Sequence, residues 1–112
     1  MASITNYISD VQPLLGALNT ATTTSISGAG AVPITGTICE ITTTGANALT
    51  LADGAEGQHL FLTMIVDEGD GTLTPTNFAS GTTITFDDVG DAAHLVFTNG
   101  AWVYFGGAAT VA

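Results

Sequence analysis

No Lys and no Arg occurs in 112 residues that carry 10 Asp plus Glu, for a formal net charge of -10. That absence limits both what the chain can fold into and what it can bind. No carboxylate has a Lys or Arg partner within its own protomer, so apolar burial, backbone ladders and contacts with other subunits must hold the fold. Displacing the counterions of a nucleic-acid backbone takes clustered cations, and phosphate clamps use a guanidinium or ammonium. Nucleic acid is therefore not an expected partner.

The chain is 46% hydrophobic and only 9% charged, where about 25% charged is usual. It is too apolar to be disordered, and its length suits one small domain. So little charge leaves wide uncharged surface, which commonly marks protein docking sites, so obligate assembly is expected. Cys39 stands alone and reads as a small apolar residue. The N-terminus has no basic n-region, and no apolar run approaches the roughly 18 residues of a membrane span, so no membrane partner is expected.

Ile4, Tyr7, Ile8, Val11, Leu14, Leu15 and Leu18 recur at spacings of three and four, the stripe of a short helix that Ser3 or Asp10 could cap and Pro13 could split. Ile4, Tyr7, Val11, Leu14 and Leu18 also fit an a/d seam, and are predicted to lie at an interface, on a sheet or against a neighbouring subunit. From Asn19 to Pro33 the chain is Thr, Ser, Ala and Gly with little else, the composition of an arm or linker. Two segments result: 1–33, helix or arm and linker, and 34–112, a β-rich body. Strand runs are predicted at Ile34 to Thr43, Ala48 to Leu51, Gln58 to Val66, Thr82 to Phe86, His94 to Thr98 and Ala101 to Phe105. The expected fold is all-β with a short N-terminal helix or arm, a small antiparallel sandwich or barrel intertwined in a homotrimer.

Sliding Leu49 to Leu62 by 35 residues onto Ile84 to Phe97 aligns LTLADGAEGQHLFL with ITFDDVGDAAHLVF without a gap. Thr50, Asp53, His59 and Leu60 meet Thr85, Asp88, His94 and Leu95. Each copy reads as strand, acidic turn, strand, which suggests two related hairpins. Asn99-Gly100 is a strong hairpin signal, because both residues tolerate the positive φ of a type I′ turn. The turn sets Phe97 opposite Trp102 and Leu95 opposite Tyr104 on one face, the core of the hairpin. Val96 opposite Val103 and His94 opposite Phe105 occupy the other, with Val96, Val103 and Phe105 as candidate interface residues. Both faces are apolar, so the second needs a cover.

The acidic residues gather in turns: Asp53 and Glu56; Asp67, Glu68 and Asp70; Asp87, Asp88 and Asp91. The run from Asp67 to Gly71 lacks the spacing of an EF-hand, and solvated turn carboxylates are the expectation, with a divalent cation as the alternative. His59 and His94 fall at equivalent repeat positions. Strand alternation sets His59 with Phe61, Thr63 and Ile65, away from Leu60, Leu62, Met64 and Val66, so each histidine is expected at a strand edge or interface. No nucleophile motif is present, and neither catalytic nor cofactor-binding residues are assigned.

Leu49-Thr50-Leu51-Ala52-Asp53-Gly54-Ala55-Glu56-Gly57-Gln58 with the apolar strand after it, and Gly90-Asp91 leading to Leu95, Asn99-Gly100 and Trp102, resemble small β-rich modules of tailed-bacteriophage virions. Such modules occur in capsid decoration (cement) proteins and in tail or head fibres. The resemblance covers Leu49 to Phe105 and implies a structural part of the virion. A compact β body with a gripping arm suits a decoration protein on the capsid exterior, whose partners are the major capsid protein and two further copies of itself. The alternative it implies is a fibre or adhesin module that binds host-surface glycan through exposed Trp102 and Tyr104.

Overall fold

The structure, a computed structural model, describes residues 22–112, and the predicted helix with Ile4, Tyr7, Val11, Leu14 and Leu18 lies outside them. The described residues form strands β1 (Thr23–Ser27), β2 (Gly30–Ala31), β3 (Ile38–Thr42), β4 (Asn47–Leu51), β5 (His59–Val66), β6 (Gly71–Pro75), β7 (Ile84–Phe86), β8 (Ala92–Thr98), β9 (Ala101–Gly106) and β10 (Thr110–Val111). They make two five-stranded sheets, the first ordered β1-β3-β5-β8-β9 and the second β10-β7-β6-β4-β2. The described residues are thus all-β, with two packed sheets, as the sequence predicts for the body.

Strand direction departs from the antiparallel expectation. Up to β6 the chain crosses to the opposite sheet after every strand, so β1, β3 and β5 stack in parallel in one sheet and β2, β4 and β6 in the other. Parallel neighbours need a crossover of about a dozen residues or more, and here a strand of the facing sheet supplies it. After β6 the connections turn back, and β5–β8, β8–β9, β6–β7 and β7–β10 pair antiparallel. Alternation in a Thr-rich strand specifies faces and carries no information on direction.

Parallel stacking extends the body beyond the predicted boundary at Ile34. Thr23–Ser27, read as linker, pairs along its length with β3, and Gly30–Ala31 pairs with β4. The resulting rows cross the first sheet in register: Ile26 beside Ile41 beside Met64, and Thr24 beside Cys39 beside Leu62. Cys39, Ile41, Leu60, Leu62, Met64, Leu95 and Trp102 of this sheet meet Leu49, Leu51, Leu73, Ile84 and Phe86 of the other in one core. A bulge in β5 pairs Thr42 with Val66 directly after Ile41 with Met64, and turns Val66 out to solvent against the expectation that it points inward. β6 and β10 escape prediction because each carries a single bulky apolar residue among Thr, Gly, Pro or Ala.

The repeat copies are arches rather than hairpins. Leu49–Leu51 lies in the second sheet and His59–Leu62 in the first, and the copy from Ile84 to Phe97 crosses in the same way. The true hairpin is β8–β9, where Asn99 (φ 54°) and Gly100 (φ 78°) make the predicted turn. Phe97↔Trp102, Val96↔Val103 and Leu95↔Tyr104 pair as expected. His94 pairs with Gly106 instead of Phe105, because Phe105 is the extra residue of a bulge.

Candidate functional site

Inward residues of the hairpin are spent on the core. Trp102 is buried, its indole Nε1 donates to the Ala52 carbonyl at 2.9 Å, and Phe97 meets it edge-on at 5.3 Å. Leu95 and Phe97 are buried as well, while Tyr104 is half-buried and donates its hydroxyl to the Gly107 carbonyl at 2.6 Å. An exposed Trp102–Tyr104 platform for a sugar ring is therefore not formed.

Among the described residues, the outer face of the first sheet stands open to solvent and is the more apolar of the two outer faces. It carries Phe61 (41% exposed), Ile65 (43%) and Phe105 (61%). Glu40 is the one carboxylate within the five strands of this sheet. Of the three hairpin residues predicted for an interface, Phe105 stands out from the face, Val103 is half-buried, and Val96, 8% exposed, is already covered within the protomer. A cleft of ≈ 470 Å³ opens beside Phe61 and His94, walled also by Ile38 and Thr63. Ala92, Ala93, Gly106 and Gly107 line it too, and their small size leaves the hollow. Gly107 has no alternative: a Cβ there would stand 2.0 Å from the Ala92 carbonyl oxygen, at φ 137°.

His59 and His94 sit together on this face. β5 and β8 are hydrogen-bonded neighbours in the sheet interior, so neither histidine lies on an edge strand, the first of the two placements (strand edge or interface) expected from the sequence. His59 Nδ1 and His94 Nε2 are 2.9 Å apart, close enough to share one proton in a hydrogen bond. The His94 ring stacks on Phe61 at 4.2 Å with 5° between planes, and Phe105 packs against it at 5.7 Å. Burial first, and the neighbouring His59 second, pull the His94 pKa below its usual value, so its imidazole is neutral at neutral pH. Sequence reasoning set the two histidines at equivalent repeat positions but did not bring them together, because that requires knowing that β5 pairs with β8.

The turn carboxylates have partners without cations. Glu56 accepts from the Asn99 amide at 2.9 Å and the Thr98 hydroxyl at 3.0 Å, fastening one repeat arch to the hairpin turn. Asp91, its repeat counterpart, accepts from the amides of Asp87 at 3.0 Å and Asp88 at 3.2 Å. These bonds, with the backbone donors foremost, hold both carboxyls below their usual pKa, whereas Asp87 is raised by its contact with Asp91. Asn77 Nδ2 donates to both oxygens of Asp53. Several of the acidic turns are thus fasteners of the fold as well as solvated charge. Among the described residues, no three His, Cys, Asp or Glu side chains gather as a ready metal site. Cys39 is enclosed in the core, where burial chiefly raises its thiol pKa.

No protein-family model matches this chain, and no curated protein matches it.

Proposed function

We propose that this protein is a bacteriophage capsid decoration protein, a non-enzymatic subunit that seats on the capsid exterior as a homotrimer and bridges neighbouring capsid subunits. The observation that carries the reading is the outer face of the first sheet, where Phe61, Ile65 and Phe105 are exposed on strands holding a single carboxylate. Carboxylates instead collect in the turns, so an apolar contact can form on the sheet while the acidic ends stay in water. The net charge of -10 directs the protein to a neutral or basic patch of its partner and away from an acidic one. Burial of Trp102 removes the aromatic surface on which the glycan-binding alternative relied.

Gold-labelled antibody against the β body, applied to phage particles from the source of the sequence, tests the proposal. Label over the capsid is expected. Label confined to tail or fibre tips selects the adhesin, and particles free of label overturn a virion role.

A further inference from the structure

Thr23 stands at the end of one lateral row of the first sheet: it pairs with Ile38, Ile38 with Phe61, Phe61 with His94 and His94 with Gly106. The cleft on the outer face follows that row, from Ile38 across Phe61 and Thr63, then Ala92 and His94, to Gly106. Thr22, the first described residue, is tied to the near end of the row, its carbonyl accepting from the amides of Thr37 at 2.8 Å and Ile38 at 3.1 Å. We propose that the apolar stripe of the preceding segment, Ile4, Tyr7, Val11, Leu14 and Leu18, is seated along this cleft of its own protomer. The inference goes beyond the proposed docking role and stands without it.

Length and point of entry fit that seat. Wound as the helix its spacing predicts, Ile4 to Leu18 runs about 21 Å at 1.5 Å per residue. Five strands about 4.8 Å apart span about 19 Å. A segment entering at the β1 edge therefore reaches β9 and little further. The steps from Leu18 through Asn19, Thr20 and Ala21 to Thr22 cover up to about 13 Å, enough to climb the roughly 10 Å that separates packed layers. Leu18 then falls over Ile38, Leu14 over Phe61 and Thr63, Val11 over Ala92 and His94, and Tyr7 over Gly106. Pro13 falls on the far side of the stripe, toward solvent.

The surroundings favour this occupant. Ala92, Gly106 and Gly107 leave the room that bulky side chains need, and the stripe supplies five of them. Of the ten carboxylates only Asp10 precedes Thr22, and Glu40 alone lies within the strands of the first sheet, so segment and face meet with little repulsion. A tether this short gives the segment an effective concentration in the millimolar range, against which a second copy must compete. Ile65 and Phe105 lie outside the cleft walls and stay free for docking.

Disulfide trapping in the full chain tests the seat. Leu14→Cys with Thr63→Cys, mildly oxidised, is expected to close a bond within one chain, seen as a faster non-reduced band of single-chain mass. Such a bond needs the two Cβ atoms about 3.5 to 4.5 Å apart. Leu14→Cys with Thr74→Cys, the latter exposed on the second sheet, should stay reduced, and Cys39 is enclosed in the core. As a second measurement, Val11→Asp with Leu14→Asp leaves every described residue unchanged and should unseat the segment, raising the fluorescence of anilinonaphthalene sulfonate severalfold as the cleft opens. A bond formed only between chains gives the cleft to a second copy and overturns the proposal. Equal yield at Thr74, no bond at all, or dye binding unchanged by the two aspartates overturns it too. None of these results bears on where the protein sits in a virion, which immunolabelling decides separately.

Discussion

Replacing Trp102 with Ala probes the joint on which both sheets converge. The side chain is fully enclosed, its Nε1 donates to Ala52 at the end of β4, and its ring lies so close to the next turn that a Cβ on Gly54 would stand 2.8 Å from Cζ2. Its backbone also pairs with the segment between β6 and β7: Trp102 N donates to Asn77 O, and Ala79 N donates to Trp102 O. Truncating a buried aromatic costs about 3 to 5 kcal/mol through lost transfer energy and the cavity left behind. Stranding the Ala52 carbonyl places this case toward the upper end. A domain of this size has about 5 to 15 kcal/mol in all, and each kcal/mol moves its melting point by about 4 to 8 °C. Trp102→Ala is therefore expected to melt on the order of 15 to 30 °C lower, or to be unfolded at room temperature. Trp102→Phe keeps much of the ring and loses the indole hydrogen bond, so it should fall between Ala and wild type. Far-UV circular dichroism on heating is the assay, since the variants lack the only tryptophan. An Ala variant that melts within 5 °C of wild type, a change of roughly 1 kcal/mol, would falsify the account of Trp102 as a buried joint.

Further outcomes are expected from the same structure. Thr43 is buried at the end of β3, donating to the Gly69 carbonyl at 2.7 Å and accepting from the Glu68 amide at 3.0 Å, so Thr43→Val should cost about 1 to 3 kcal/mol in chemical denaturation; an unchanged midpoint refutes the tie. Because the folded His94 pKa is depressed, its stability contribution is complete above the unfolded value near 6.5 and is lost as pH falls through the lower folded value. Glu56 and Asp91, also depressed, act in the same sense through a more acidic window below about pH 4, with Asp87 opposing them. Melting temperature against pH should thus decline in two stages, and His94→Gln should remove the first. Light scattering should find wild type as a trimer and the double variant Phe61→Asp, Phe105→Asp dissociated with its secondary structure intact; a wild-type monomer of 11.2 kDa at high concentration counts against self-assembly. Purified protein should give no salt-dependent gel shift with DNA, for want of cations, and a shift would require a binding mode independent of charge.

Where local chemistry decides, the sequence was sufficient. Asn99-Gly100 sets a turn whose positive φ values these residues tolerate, and the turn alone fixes Phe97 against Trp102. Alternation from His59 to Ile65 predicts which side chains face water, because successive residues of a strand must point to opposite faces. The lack of Lys and Arg determines that carboxylates be met by amides and hydroxyls, as at Glu56 and Asp91. What only the tertiary structure decided is everything that depends on where a strand finds its neighbour. Thr23–Ser27 reads as linker because an edge strand of Thr and Ser needs little apolar character of its own once β3 offers a ladder. Whether an acidic turn folds back or crosses to the other sheet depends on packing far from the turn, so the repeat could equally have meant hairpins or arches. The His59–His94 pair has the same origin: 35 residues apart in the chain, the rings meet because β5 and β8 share hydrogen bonds, a long-range choice made by the whole core.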